Sequence, residues 1–131
     1  MKLTKNFSKS EFESKDGAVM PFEVFENIKE LARNLQVIRE FVGSPLKLTN
    51  AYRSLEHNRN VGSSDTSQHP KGKAGDIQSK ELTPLELYNI IIDLISVGEI
   101  KEGGVGLYNS FVHYDIYYDG VNKRRWDNTT H

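Results

Sequence analysis

The sequence predicts an α+β domain, a small antiparallel sheet with helices packed on one side. Three observations predict it. A long apolar stripe of helical period runs from Phe25 to Val42, and a second helical segment starts at Pro84. Short runs of alternating polarity stand between and after these helices. The last two runs adjoin directly, as antiparallel neighbours do. At 131 residues the chain is read as one domain, 1–131, large enough to bury a core without staples.

The elements follow in order. Ser8 and Glu11 form a capping box in "FSKSEFESKDG", and Phe7 and Phe12 pin that turn to the body. Pro21 opens the longest helix, whose stripe is Phe25, Ile28, Leu31, Ala32, Leu35, Ile38 and Val42, with Gly43 as its stop. "PLKLTNAYR" reads as a half-buried strand with Leu46 and Leu48 inward, delivering Arg53 at its end. Residues 54–73 hold almost no apolar anchor and read as one long loop, and loops of that length in a small domain usually carry function. "AGDIQ" is a short strand. Thr83, Pro84 and Glu86 then combine an N-cap, a first-turn proline and a capping box at the head of a helix that ends near Gly98. "GGVGLY" and "SFVHYDIYYDG" form a strand pair. Period-two alternation puts Phe111, His113 and Asp115 on one face and Val112, Tyr114 and Ile116 on the other. The polar tail "DNTTH" is expected to fray.

Composition excludes several functions. There is no cysteine, so disulfides and thiolate chemistry are out, and any metal must take histidine and carboxylate ligands. Lys plus Arg is 17 against 18 for Asp plus Glu, a net charge of −1 that offers no basic field to a nucleic acid. No stretch is long and apolar enough to span a bilayer, so no membrane insertion is expected. "MKLTKNFSKSEFES" lacks the apolar segment of a signal peptide. A monomer that stays cytoplasmic until released is the expected form.

Four histidines occur, His57, His69, His113 and His131. His69 ends the polar loop, Asp76 enters a strand seven positions on, and His113 stands on a late strand. Catalytic zinc takes three protein ligands and leaves one position open, a count that two imidazoles and a carboxylate meet. On residue type and spacing alone, a solvated loop histidine, a turn aspartate and a half-buried strand histidine explain the three equally well.

A resemblance weighs between these readings. "SQHPKGKAGDI" at 67–77 resembles the Ser-x-His-x-x-x-Gly-x-Ala-x-Asp signature of the zinc D-alanyl-D-alanine carboxypeptidases and L-alanyl-D-glutamate endopeptidases, a group that extends to the hedgehog signalling domain. "FSKSEFESKDG", "AYRS" at 51–54, "NVGSS" at 60–64 and "GGVGLYNSFVHYD" at 103–115 resemble pieces of its compact single-domain members. The resemblance implies a hedgehog- and D-Ala-D-Ala-peptidase-like fold and one zinc per chain held by His69, Asp76 and His113. It also implies a substrate among the D-amino-acid-containing peptides of peptidoglycan, hydrolysed by metal-activated water. By the same resemblance Arg53 holds a substrate carbonyl or carboxylate.

Other positions stay open. Ser67 serves bound peptide or caps the loop, and Tyr108 lies beside the substrate or simply packs its ring. Arg124, Arg125 and Trp126 line the groove or form a solvated turn. Better-known relatives carry an acid three positions before the last histidine ligand, where this chain has Ser110. Asp115 is therefore read as the general base, with orientation of an imidazole as its competing role. Carboxypeptidase release of D-alanine, endopeptidase cleavage as in a phage lysin, and a non-catalytic zinc module that binds the wall are the functions this pattern allows.

Overall fold

Pro21 holds the chain extended (φ −62°, ψ 157°), and helix α1 (Phe22–Val42) begins one residue later. It ends where Gly43 turns left-handed at φ 75° and returns its N–H to the carbonyl of Arg39. The buried side of α1 holds Ile28, Leu31, Ala32, Leu35 and Ile38 of the predicted stripe, while Phe25 and Val42 are half-buried and Val24 and Gln36, outside that stripe, are buried with it. This computed structural model describes residues 1–130, so His131, the end of the tail expected to fray, lies outside the described residues.

Strand β1 (Leu46–Asn50) leads to helix α2 (Leu55–Asn60), then to a 3-10 turn at His69–Lys71 and strand β2 (Ala74–Ser79). Helix α3 (Pro84–Ser96) carries the predicted capping box between Thr83 and Glu86. Strands β3 (Val105–Leu107), β4 (Val112–Asp115) and β5 (Arg125–Asp127) complete a five-stranded sheet of order β1-β2-β4-β3-β5. All neighbours are antiparallel except β3 and β5, which run parallel, so the sheet is mixed at that edge. No described helix is long and apolar enough to cross a membrane.

Several local expectations change. Residues 54–73 are not one loop: Ser54 caps α2 by accepting from the N–H of His57 at 3.1 Å. Strand β1 stops at Asn50, so Arg53 lies past it in the connection. Phe111 falls just outside β4 and stacks on Tyr108 with ring centroids 4.3 Å apart. The tail is not frayed over its described part. Asn128 donates to the carbonyl of Leu107, and Thr130 exchanges hydrogen bonds with Asn109.

The pleat divides the sheet by chemistry. Ile77, Val105, Leu107, Val112 and Tyr114 join the apolar sides of α1 and α3 in one core. Gly75 belongs to that face, because a Cβ there would meet Leu48, Leu35 and Leu31. Its neighbour Asp76 must then point to the opposite face, as must His113 and Asp115 between Val112, Tyr114 and Ile116. Register does the rest, for Asp76 sits directly across from His113 in the β2–β4 ladder.

Candidate metal centre

His69, Asp76 and His113 each present a ligand atom, and these atoms all lie within 4.8 Å of one another. All three residues are buried, at 3%, 3% and 8% exposure. Asp76 Oδ2 is 3.4 Å from His69 Nε2, and Asp76 Oδ1 is 3.1 Å from His113 Nδ1. Donors bound tetrahedrally to zinc at 2.0–2.1 Å stand roughly 3.3 Å apart, so these separations already match a zinc site. Two imidazoles and one carboxylate, with no thiolate, also suit zinc by donor type.

Each imidazole is fixed through its other nitrogen. His69 Nδ1 is 2.7 Å from the carbonyl of Ala51, which can only accept. The hydrogen is therefore on Nδ1, and the lone pair of Nε2 faces the other donors. As a metal ligand through Nδ1, His113 takes the reverse tautomer. Its Nε2 donates to Asp115 Oδ2 at 2.7 Å, leaving Nδ1 toward Asp76. The two rings meet edge to face with centroids 5.3 Å apart.

His69 reaches the sheet because the chain turns sharply after it. Gly72 adopts φ 73°, and a Cβ there would come within 2.7 Å of Val24 Cγ1 and 2.8 Å of the Val24 carbonyl. Only glycine fits both the backbone and the space.

Asp115 lies behind the ring of His113, not in front of the metal donors. Its Oδ2 takes the imidazole hydrogen, and its Oδ1 accepts from the N–H groups of Gly104 at 2.9 Å and Tyr117 at 3.1 Å and from Arg124. A Cβ on Gly104 would lie 2.5 Å from Asp115 Oδ2 and 2.8 Å from the Arg124 guanidinium, so the glycine admits both. Burial pushes the Asp115 carboxyl up, but the hydrogen bond and charge of His113, the Gly104 N–H and Arg124 hold it below its usual range. Asp76 behaves alike: burial raises it, and the adjoining imidazoles, His113 and then His69, outweigh that and hold it far down. Burial opposes the charged form of His113, yet the two flanking carboxylates raise its pKa.

Arg53 enters from the connection after β1, its side chain 12% exposed. Its Nη1 donates to Asn58 Oδ1 at 3.1 Å, and its Nη2 lies 3.7 Å from Asp76 Oδ2. Its Nε is buried and without a partner. Burial lowers the guanidinium pKa and Asp76 opposes that shift, but a guanidinium stays charged throughout. Asn58 is fully buried on α2, and its amide donates to the Ser64 carbonyl at 2.9 Å. The short helix missed in the sequence thus carries the residue that aims Arg53.

These groups border a cavity of about 400 Å³. Ser67, Tyr108 and Phe111 are on its wall, as are Arg124 and Trp126. The Ser67 hydroxyl also accepts from the His69 N–H at 3.2 Å, so it caps the turn that carries the ligand. The Tyr108 hydroxyl accepts from Trp126 Nε1 at 3.0 Å. Arg125 does not join them and pairs with Glu102 at 2.9 Å. Ser110 is apart from the site, borders another cavity, and gives its carbonyl to Gln78. His57 on α2 is outside the donor cluster.

The sequence profile of the peptidase M15 family matches residues 2–115, from the N-terminal turn through the last donor strand. The chain belongs to the peptidase M15 family. No curated protein matches it significantly. As an M15 peptidase with a buried His-Asp-His donor set, it is a zinc-dependent peptidase, with one zinc site per chain, acting on peptides of the peptidoglycan type. Sequence reasoning on this M15 peptidase passed over the Ala51 carbonyl, Asn58 and Gln68, and gave Arg124 no partner. For the carbonyl no side-chain signal exists. For Arg124 the basic run "KRRW" was the available one.

Proposed function

We propose that the chain hydrolyses stem or cross-link peptides of peptidoglycan, at bonds flanked by D-amino acids. The observation that supports this most is the open side of the donor set. Three protein donors converge, no further His, Asp or Glu joins them among the described residues, and all three border the 400 Å³ cavity. A structural zinc site is closed by a fourth protein ligand, whereas a catalytic one keeps a position for the reaction.

When bound, zinc supplies a Lewis acid for the scissile carbonyl and lowers the pKa of a water. The chain's residues supply the rest. His69 and His113 present fixed lone pairs because Ala51 and Asp115 hold their opposite nitrogens. Arg53 borders the cavity, and its guanidinium fork suits a substrate carbonyl or carboxylate. We assign Asp115 the orienting role and not that of general base, since both its oxygens are engaged behind His113.

A second reading is D-alanyl-D-alanine carboxypeptidase activity in particular, favoured by the same Arg53 as partner for a terminal carboxylate. Digestion of purified peptidoglycan by the zinc-loaded protein, with mass analysis of released fragments, tests both. Release of cross-link or stem fragments supports the endopeptidase, and loss of single D-alanine residues supports the carboxypeptidase. A fully zinc-loaded protein that releases neither would overturn the proposal.

A further inference from the structure

Four positions stand in one row across the sheet. Asp76 on β2 faces His113 on β4, His113 faces Gly106 on β3, and Gly106 faces Trp126 on β5. Residues paired across neighbouring strands share a face, so the Trp126 indole stands on the metal side with only Gly106 between it and His113. It leans across that gap. The indole and imidazole centroids are 5.0 Å apart, and a Cβ on Gly106 would come within 2.3 Å of the indole Nε1 and Cε2. Glycine at 106 is thus what lets the indole lie over β3. Strand β5 lies beyond the part of the chain that the family profile matches, yet Trp126 supplies a wall of the metal cavity.

The indole also fixes a hydroxyl. Trp126 Nε1 donates to the Tyr108 hydroxyl at 3.0 Å. An indole N–H can only donate, so the tyrosine oxygen is the acceptor and its own hydrogen is directed elsewhere. Among the described residues that hydrogen has no protein acceptor. The ring is held as well: Tyr108 stacks on Phe111 at 4.3 Å with the planes 11° apart, and its backbone N–H donates to the Phe111 carbonyl at 3.1 Å. Tyr108 is half-buried and borders the same cavity as Arg53 and the metal donors. A hydroxyl with its ring plane and one lone pair fixed, and its hydrogen unused, is a preorganised donor.

We propose that Tyr108 is a catalytic donor aimed by Trp126: its hydroxyl donates to the carbonyl oxygen of the scissile peptide bond, alongside the Arg53 guanidinium, as that oxygen gains negative charge. Trp126 is the positioning residue of the pair. The inference rests on the peptidase reading above.

The test uses soluble cross-linked muropeptides from purified peptidoglycan, cleaved by the zinc-loaded protein and followed by mass analysis. Tyr108→Phe keeps the stack on Phe111 and removes only the hydroxyl. It should retain full zinc content and the native urea midpoint, with kcat lowered about 10²-fold and KM little changed, the pattern of a donor that acts on charge developing in the transition state. Trp126→Phe should lower kcat roughly tenfold, the scale of one ordinary hydrogen bond, and cost nothing further in the Tyr108→Phe background. A kcat within twofold of native in Tyr108→Phe overturns the donor, and full additivity of the two losses overturns the role of Trp126. A phosphinate dipeptide of D-alanine, whose tetrahedral oxygens imitate the charged intermediate, gives a readout that needs no turnover. Its calorimetric Kd should rise about tenfold in Tyr108→Phe. If the native protein cleaves no muropeptide but this difference is found, the peptidase reading fails and the donor stands. An unchanged Kd, or no binding by either protein, overturns the donor.

Discussion

His113 carries a carboxylate on each nitrogen, and the two have different tasks. Asp76 shares the metal with Nδ1, while Asp115 fixes Nε2 and is itself fixed by Gly104 and Arg124. Losing an outer partner of a metal-bound imidazole costs about 10- to 100-fold in metal affinity. Asp115→Asn should therefore weaken zinc binding by that factor in a chelator-competition titration, with activity recovering in part at excess zinc. A proton-accepting Asp115 would instead leave zinc affinity intact and abolish hydrolysis at every zinc concentration. Arg53→Lys keeps the charge but loses the fork and its bond to Asn58. It should retain full zinc content and lower kcat/KM by about 10²-fold, the usual effect of removing one aimed donor at a reacting carbonyl. The three ligands were legible only through the family resemblance: residue type and spacing left them evenly balanced against ordinary structural roles, although the lack of cysteine narrowed the possible donors and period two put His113 and Asp115 on one face. Which nitrogen faces which carboxylate was not legible, because the alternation fixes the face of a side chain and not the rotation of its ring.

Among the elements, the long ones were readable and the short ones were not. Helices α1 and α3 announce themselves by apolar spacing and by Gly43 and the Thr83–Glu86 box. Helix α2 is six residues of "LEHNRN", too short and too polar to show a period, and it exists because tertiary contacts hold it. Strand β5 is three residues whose parallel pairing to β3 spans a long stretch of chain, which no local pattern encodes. The unread helix nonetheless organises the site through Asn58. Asn58→Ala leaves Arg53 Nη1 and the Ser64 carbonyl without their partner, which should cost about 1–3 kcal/mol in urea unfolding. Activity should fall further than stability, toward the level of the Arg53 variant, because the guanidinium loses its aim. Equal activity at a temperature where both proteins are folded would show that α2 serves the fold alone.

For the molecule as a whole, the N-terminal segment ties the site loop to the core. Phe7 and Phe12 are buried beside α1, the Phe12 carbonyl accepts from the Tyr52 N–H, and Gln36 on α1 holds Thr4 and Asn6. At the far end of this strap Asp16 accepts from the hydroxyls of Ser14 at 2.7 Å and Ser54 at 2.5 Å, so it joins the strap to the cap of α2. These hydroxyls, first that of Ser14, and the Ala18 N–H lower its pKa from 3.8 to about 2. A carboxyl with a depressed native pKa binds fewer protons folded than unfolded, so its contribution to stability grows as pH rises through that window. That contribution should be complete above about pH 4, shrink as pH falls toward 2, and vanish below it. The comparison is between the native chain and Asp16→Asn, both stripped of zinc so that ligand protonation affects them equally. Their urea midpoints should differ at pH 5 and converge as the pH is lowered to 2. A gap that stays constant over that range would mean that the Asp16 side chain matters for its shape or hydrogen bonds and not for its charge, and the strap would not be what weakens first in acid.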